Sequence, residues 1–129
     1  MGCDIHVFIE CNQTTLEKEW VCVSSFSVLR LYSVFSAIAG VRGDAKYQLS
    51  PRGMPNDASQ EARKYYESDL TYYHTPTWMH LDEYHNALTQ NGIDIAKVNN
   101  DFILISSIMS GIESRFGSKT ARLVCFFDN

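Results

Sequence analysis

Asp4 and His6 lie two positions apart near the start of the chain, in a stretch that alternates like a β-strand. Residues i and i+2 of a strand share a face, with Cβ atoms roughly 7 Å apart, so a carboxylate there can orient an imidazole. Such a pair suits a general base held by a carboxylate, or two ligands of a metal ion. An ordinary polar strand face is the alternative, because residue types alone do not mark a site.

A second imidazole, His74, falls in "YYHTPTW", which the pattern predicts to be a loop between helices. Loop residues held by a rigid scaffold often carry function, whereas the alternative is a half-buried histidine bonded to a backbone carbonyl. Trp78 either packs or stacks on a base or sugar. His80 and His85 are five apart, so they do not share a helix face and are interpreted as surface or packing residues.

Two arginines occupy glycine-containing turns, Arg42 in "GVRG" and Arg52 in "SPRGMP". Backbone N–H groups in such turns can point at an anion, and the planar guanidinium favours carboxylates and phosphates. Solvated loop arginines are the alternative. The sequence contains no P-loop, dinucleotide fingerprint, H-E-x-x-H or G-x-S-x-G motif. The chain therefore lacks the usual signatures of several large enzyme classes.

The elements that must position these side chains begin with a predicted hairpin. Residues 2–10 alternate as one strand, "CNQTT" is a polar turn, and residues 19–23 form the second strand. The last segment, "ARLVCFFDN", is apolar enough for a central strand. If that strand runs antiparallel to the first, Asp128 adds a second carboxylate to the corner of Asp4 and His6.

Helical spacing and stop signals predict the remaining elements. Two irregular stretches, 40–57 and "DLTYYHTPTW", are long enough to be functional loops. The sequence therefore predicts one α+β domain over residues 1–129, with a small, mainly antiparallel sheet covered on one face by three to four helices. The predicted helices are 31–39 ended by Gly40, "ASQEARKYYES" with a capping box from Asp57 to Gln60, about 79–91 ended by Gly92, and a long helix within 95–116 ended by Gly117.

Composition and net charge limit the classes of partner that we expect for this chain. The chain has 129 residues, a net charge of −4 and scattered basic residues, which disfavours direct nucleic-acid binding and leaves basic proteins open. Its four cysteines have no zinc-site spacing and are interpreted as reduced, cytoplasmic thiols. No run approaches the roughly 20 apolar residues of a membrane span, and His6 departs from the myristoylation pattern, so no membrane partner is expected.

Five motifs, "MGCDIH", "LRLYSVFSAIAGVRG", "LSPRGMPNDAS", "HTPTWMHLDEY" and "LVCFFDN", together carry a resemblance over nearly the whole length. The chain resembles a family of small, largely uncharacterised bacteriophage and prophage proteins that begin with MGCDIH and end in F-x-F-D-N. The resemblance implies a phage protein in the host cytoplasm and a candidate site, without an established activity. Its motifs fall on Asp4, His6, Arg42, Arg52, Gly53, Asp57, Ser59, His74, Trp78 and Asp128.

The chain departs from the family pattern around His74. Thr75 and Pro76 replace the usual serine and variable residue, and Tyr73 stands where an acidic residue often precedes the histidine. An activity that needed that acid would be missing here.

Two functional hypotheses follow. In the first, the protein binds, and as a phosphodiesterase-type enzyme hydrolyses, a phosphorylated small molecule such as a nucleotide defence signal. His6 oriented by Asp4 is the base and His74 the acid or oxyanion stabiliser. A divalent metal is an open variant of this site. The residues assigned to the ligand are Arg42, Arg52, Gly53, Asp57 and Trp78, and the metal set would be Asp4, His6, His74 and Asp128.

In the second hypothesis, the chain is a non-catalytic acidic anti-defence protein that blocks a host protein by direct binding. The first is favoured because an inhibitor surface has no need of His, Asp and Arg drawn from opposite ends of the chain. It predicts that one cavity, within about 10 Å, is lined by four residues: Asp4, His6, Arg52 and His74. A homodimer is left open.

Overall fold

A computed structural model describes residues 2–13 and 20–129. The predicted turn at 11–15 and strand at 19–23 therefore lie partly outside the described residues. The described strands are β1 (Ile5–Cys11), β2 (Val21–Ser27), β3 (His74–His80) and β4 (Ala121–Phe127), and the helices are α1 (Tyr32–Ala39), α2 (Gln60–Glu67), α3 (Leu81–Gln90) and α4 (Asn100–Phe116). Among these helices none is long and apolar enough to cross a membrane.

In the described residues the strands form one antiparallel sheet in the order β2-β1-β4-β3. The α+β domain is confirmed, and so is the central place of β4, whose seven residues are all buried. β4 runs antiparallel to β1, with Ile5 opposite Phe127 and Cys11 opposite Ala121. Consequently the end of β4 meets the beginning of β1.

The strand β3 replaces a predicted loop. His74–His80 pairs with β4 through a register shift between His74 and Thr77. Pro76 sits in this shift, and proline is tolerated at bulges and in edge strands, where no ladder hydrogen bond is lost. The two threonines and the proline mask the apolar alternation, which explains why the sequence pattern indicated a loop.

Local capping signals set the helix ends. Gly40 ends α1 at φ 68°, in the left-handed region that glycine adopts at low cost. The cap of α2 is Ser59, whose hydroxyl accepts from the Ala62 N–H at 3.4 Å. The predicted capping role of Asp57 is therefore wrong, because the carboxylate of Asp57 faces Arg122.

Both faces of the sheet are covered, which corrects the prediction of a single covered face. The larger core lies between one face and the helices α1, α3 and α4. A smaller cluster on the other face, which we call the α2 face, joins Phe8, Val124 and Phe126 to Ala62 of α2. Strand alternation places the side chains of Asp4, His6, Glu10, Arg122 and Asp128 on the α2 face.

Candidate functional site

Asp128 is a buried carboxylate at the junction of β4 and β1. Its N–H donates to the Asp4 carbonyl at 3.0 Å, and its Oδ1 accepts from the Asp4 N–H at 2.9 Å. Its Oδ2 lies 2.9 Å from Nε2 of His6. The antiparallel pairing thus places Asp128 beside the start of β1, where two backbone hydrogen bonds hold it.

The carboxylate that orients His6 is Asp128, so the prediction that Asp4 does so is wrong. Oδ1 of Asp4 instead accepts from Nε of Arg30 at 2.7 Å, at the solvent-exposed margin of the sheet. This guanidinium lowers the pKa of Asp4 below its ordinary value. Arg30 stands 26 positions away, and no motif in the sequence connects it to the site.

The geometry also selects the tautomer of His6. Because a carboxylate only accepts, Nε2 carries the proton and Nδ1 carries the lone pair. Within residues 2–13 and 20–129, no group hydrogen-bonds Nδ1. The ring stacks on Phe126 with centroids 5.4 Å apart and contacts Tyr65 at 5.3 Å and Tyr73 at 5.1 Å. His6 is thus a fixed imidazole with one unused basic nitrogen.

Beside this imidazole, an open groove of about 400 Å³ runs along β1 and β2. The side chain of His6 is 21% exposed, so a small ligand in the groove could reach it. We call this the His6 groove. Its lining includes Asp4, His6, Phe8, Ser25, Ser27 and Tyr65.

His74 reaches the same corner from β3. Its Nε2 lies 3.2 Å from the carbonyl oxygen of Asp128, and its Nδ1 lies 2.8 Å from the Thr75 hydroxyl. Since the carbonyl must accept, Nε2 donates to it and Nδ1 accepts from Thr75. Both nitrogens are therefore engaged, and His74 holds Asp128 in position rather than facing a ligand.

Thr75 contributes backbone strain next to His74. Its φ is 54°, in the left-handed region, which is unfavourable for a β-branched residue. Strained residues persist where the surrounding structure holds them, and they cluster at functional sites. In this conformation the Thr75 hydroxyl lies 2.8 Å from Nδ1 of His74.

Tyrosine hydroxyls supply hydrogen-bond donors around the corner. Burial, and a hydrogen bond with Tyr65, raise the pKa of Tyr73 to about 12. The charge of Asp128 raises the pKa of Tyr72 above its ordinary value. Both phenols therefore keep their protons at neutral pH and can donate to an anionic ligand.

Arg42 does not line the His6 groove. It is exposed at φ 55° in the turn after α1 and lines a different cleft, of about 650 Å³, with Tyr32 and Lys46. Burial raises the pKa of Cys3, and the charge of Arg42 opposes this rise. The charge of Asp128 also raises the pKa of Cys3. Arg42 is therefore near enough to this end of the sheet to exert an electrostatic effect there, although it does not line the groove.

Arg52 lies beside β3, against Thr77 and Trp78. Its guanidinium pairs with both carboxylate oxygens of Glu83, donates to the Trp78 carbonyl at 3.2 Å and stacks 4.6 Å from the Trp78 ring. The hydrogen bonds from Arg52 lower the pKa of Glu83 to about 2. The next residue, Gly53, donates its N–H to the Pro76 carbonyl at 2.9 Å, which fixes the loop against β3.

Asp57 belongs to a buried ion network near Arg52. Arg122 donates through Nε to Glu10 at 2.6 Å and through Nη1 to Asp57 at 2.9 Å. The second oxygen of Glu10 accepts from the Ser59 N–H at 2.7 Å. Neither Glu10 nor Arg122 is among the predicted site residues, although strand alternation places Glu10 on the face of His6.

The prediction of one shared cavity is therefore wrong. Asp4 and His6 line the His6 groove, whereas Arg52 lines a separate cleft of about 660 Å³. The two sites lie near opposite ends of β4, and its six-residue span from Arg122 to Asp128 corresponds to roughly 20 Å. The Arg52 N–H is bonded to the Thr77 hydroxyl at 3.0 Å, and the guanidinium turns away from Asp128 to the Trp78 carbonyl and Glu83.

The variant with a metal ion is not supported by the geometry. In the described part of the chain, no group of three or more His, Cys, Asp or Glu side chains is arranged to hold a metal. Of the four predicted ligands, Asp4 turns to Arg30 and His74 has both nitrogens engaged. His6 and Asp128 remain as a hydrogen-bonded pair rather than a ligand set.

Comparison with known proteins adds no assignment. No family model, curated protein or solved structure matches this chain. The resemblance to phage proteins therefore stays a prediction, and the His6 groove with the groups around it is the main indication of function.

Proposed function

We propose that the protein binds a phosphorylated small molecule, such as a nucleotide, in the His6 groove and hydrolyses it with His6 as general base. One observation carries the proposal: Nε2 of His6 is held 2.9 Å from the Asp128 carboxylate, and Nδ1 is unused among the described residues. A carboxylate-held imidazole with an available lone pair is the arrangement that general-base catalysis requires.

In the proposed reaction, a water molecule donates its proton to Nδ1 of His6 as its oxygen attacks phosphorus. Asp128 stabilises the imidazolium that forms, as a carboxylate does for a histidine base. The bond from phosphorus to the leaving oxygen breaks, and the imidazolium returns the proton to that oxygen. Water is consumed, and His6 regains its starting state.

Arg30 and the tyrosine hydroxyls are the groups proposed to contact the phosphate. Arg30 is half exposed beside Asp4, and a guanidinium can bind phosphate through two parallel hydrogen bonds. Tyr65 lines the groove, and Tyr72 lies close enough to Asp128 to feel its charge. These residues take the phosphate-binding role that was predicted for Arg42 and Arg52.

The phage resemblance gives the first substrates to test. A protein of that origin would act in the host cell, where a nucleotide defence signal is a phosphorylated small molecule of suitable size. A groove of about 400 Å³ lies within the range of small-ligand sites and holds a nucleoside phosphate more readily than a long polymer.

The test is to incubate the protein with a panel of cyclic and linear nucleotides and to follow them by mass spectrometry. We expect turnover of at least one, and a loss of 10²-fold or more in His6→Asn. His85→Asn is the matched control, because His85 bonds Ser106 between α3 and α4, away from the groove. Equal turnover by His6→Asn would contradict the proposal, and intact nucleotide recovered after denaturation would indicate sequestration.

A second candidate is the non-catalytic protein that blocks a host protein. Within the described residues β2 is an edge strand, and its Val21 and Val23 are 59% and 51% exposed. An open strand edge can pair with a strand of another chain, including a second copy in a homodimer. Neither turnover nor retention of any nucleotide would favour this candidate, and sedimentation analysis would reveal the homodimer.

A further inference from the structure

Both tryptophans of the chain line one cleft at the end of the sheet opposite the His6 groove. We call it the tryptophan cleft. Its volume, about 660 Å³, is within the range of small-ligand sites. Residues that line it include Trp20, Met54, Asp57, Trp78, His80 and Arg122.

The two arginines of this cleft do not make it an anion site. Arg122 is paired with Glu10 and Asp57, and Arg52 is paired with both oxygens of Glu83. Three carboxylates thus pair with two guanidinium groups, and the guanidinium of Arg63 donates to the Pro55 and Asn56 carbonyls beside them. Each of these cations therefore already has its hydrogen-bond acceptors.

Two hydrogen-bond acceptors of the cleft are unused in the described part of the chain. Nδ1 of His80 lies 3.1 Å from the Ala121 carbonyl and must donate to it, so the lone pair is on Nε2. Asp57 bonds Arg122 through Oδ1, while Oδ2 has no partner and the side chain is 47% exposed. A ligand that satisfied both acceptors would have to bring donors.

The indole rings of the cleft already bind cations. The guanidinium carbon of Arg122 lies 4.2 Å from the centre of the Trp20 ring, and that of Arg52 lies 4.6 Å from the Trp78 ring. Aromatic faces attract cations through the ring quadrupole, most strongly for tryptophan. The aromatic walls and the free acceptors thus favour the same class of ligand, one that brings a cation and hydrogen-bond donors.

We propose that the tryptophan cleft binds the side chain of an arginine or lysine presented by a basic peptide segment. The guanidinium or ammonium group donates to Oδ2 of Asp57 and Nε2 of His80, while the aliphatic stem packs on Met54 and the indoles. This site goes beyond the proposed hydrolysis in the His6 groove, and does not depend on it.

Tryptophan fluorescence tests the proposal directly, because the only two tryptophans of the chain line the cleft. The probes are Nα-acetyl-arginine amide and Nα-acetyl-lysine amide, compared with Nα-acetyl-leucine amide and AMP. We expect a saturable change with the cationic probes alone. Asp57→Asn, which keeps an oxygen for Arg122, should bind them about tenfold more weakly because it loses the charge.

The indole N–H resonances in a ¹H–¹⁵N spectrum provide the second measurement, and the dispersion of the same spectrum shows whether Asp57→Asn is folded. His6→Asn should bind the cationic probes like the wild type, even where it abolishes nucleotide turnover. Saturable binding of AMP without binding of the cationic probes, an equal response to the leucine amide, or no response to any probe would overturn the proposal.

Discussion

The two polar clusters on the α2 face are built from the same two strands, β1 and β4, yet they use their hydrogen bonds differently. At one end Glu10 stands opposite Arg122, and at the other end His6 bonds Asp128. Both pairs join residues more than 100 positions apart, and both include a buried carboxylate. They differ in which polar atoms are left without a partner.

In the Glu10 cluster, each charge has a partner of opposite sign. Glu10 has a hydrogen bond on each oxygen, and Arg122 donates to Glu10 and to Asp57. These bonds connect the central strands to the N-terminal end of α2 through Ser59 and Asp57. The arrangement fits a structural role, since a buried ion pair persists when its remaining hydrogen bonds are satisfied.

In the Asp128 cluster, the carboxylate is satisfied but the imidazole is not. Asp128 binds the Asp4 N–H and His6, whereas Nδ1 of His6 has no hydrogen bond within the described residues and the ring lines an open groove. Nearby, Thr75 has a strained backbone. An imidazole that is held by a buried carboxylate and keeps an unused lone pair, rather than the number of charged residues, separates a candidate reactive site from a structural network.

Breaking the Glu10 cluster should have the largest effect on stability. Arg122→Met leaves Glu10 buried without its counter-charge, which is expected to lower the free energy of unfolding by about 3–5 kcal/mol. Urea titration followed by circular dichroism measures the change. In the double variant Glu10→Leu/Arg122→Met, roughly half or more of the loss should be recovered, because the buried charge is gone. A single-variant loss below about 1 kcal/mol would contradict a structural role.

The pair of Arg52 and Glu83 should show the next largest effect, and it should depend on pH. Arg52 lowers the pKa of Glu83 from 4.5 to about 2, so the folded state is stabilised while Glu83 is ionised. Glu83→Gln should lose about 2 kcal/mol near pH 7, a value reduced for the partial exposure of the pair. The difference from the wild type should shrink as pH falls from 4.5 towards 2. A difference that grows in acid would contradict this assignment.

The strain at Thr75 predicts a smaller change of opposite sign. Asparagine tolerates the left-handed region better than a β-branched residue, so Thr75→Asn should stabilise the fold by about 0.5–1 kcal/mol. Thermal unfolding by calorimetry measures it. Thr77→Asn is the contrasting variant, because Thr77 is buried and its hydroxyl accepts from the Arg52 N–H, so it should destabilise. Destabilisation by Thr75→Asn would show that the hydroxyl bond to His74 outweighs the strain.

The sequence predicted those parts that depend on strong local patterns or on simple topology. Alternation over 2–10 and the apolar run before Asp128 were sufficient to predict two central strands, and their antiparallel pairing brings Asp128 to His6. The bond between Asp4 and Arg30 could not be predicted, because it depends on where the segment after β2 turns back to the sheet.

The misplacement of Arg52 has a different physical origin. The loop that carries Arg52 is fixed by hydrogen bonds to Thr77 and Pro76, which belong to β3. Because its proline and threonines interrupt the apolar alternation, β3 was predicted to be a loop. The hydrogen bonds that anchor Arg52 to this strand could therefore not be derived from the sequence pattern. One missed edge strand therefore led to the incorrect prediction of a shared cavity.

Asp128→Asn should have the smallest effect on stability, about 1 kcal/mol or less, and a large effect on activity. The amide oxygen can still accept from the Asp4 N–H, while the amide nitrogen now donates to Nε2 of His6. His6 would then carry its proton on Nδ1 and lose the unused lone pair of that nitrogen. Nucleotide turnover should fall by about 10³–10⁴-fold, the scale seen when a histidine base is locked in the wrong tautomer.

The ¹⁵N chemical shifts of the His6 ring, with unfolding measured in parallel, test this interpretation, because they distinguish the two neutral tautomers. Asn99→Asp is a matched control, because it also exchanges an amide and a carboxylate, but at a position away from His6. Asn99 caps α4 through its side-chain oxygen, which aspartate retains. It should leave both turnover and the His6 tautomer unchanged. If Asp128→Asn switched the tautomer and turnover stayed at the wild-type level, the reaction would not use Nδ1, and the two polar clusters would differ only in exposure.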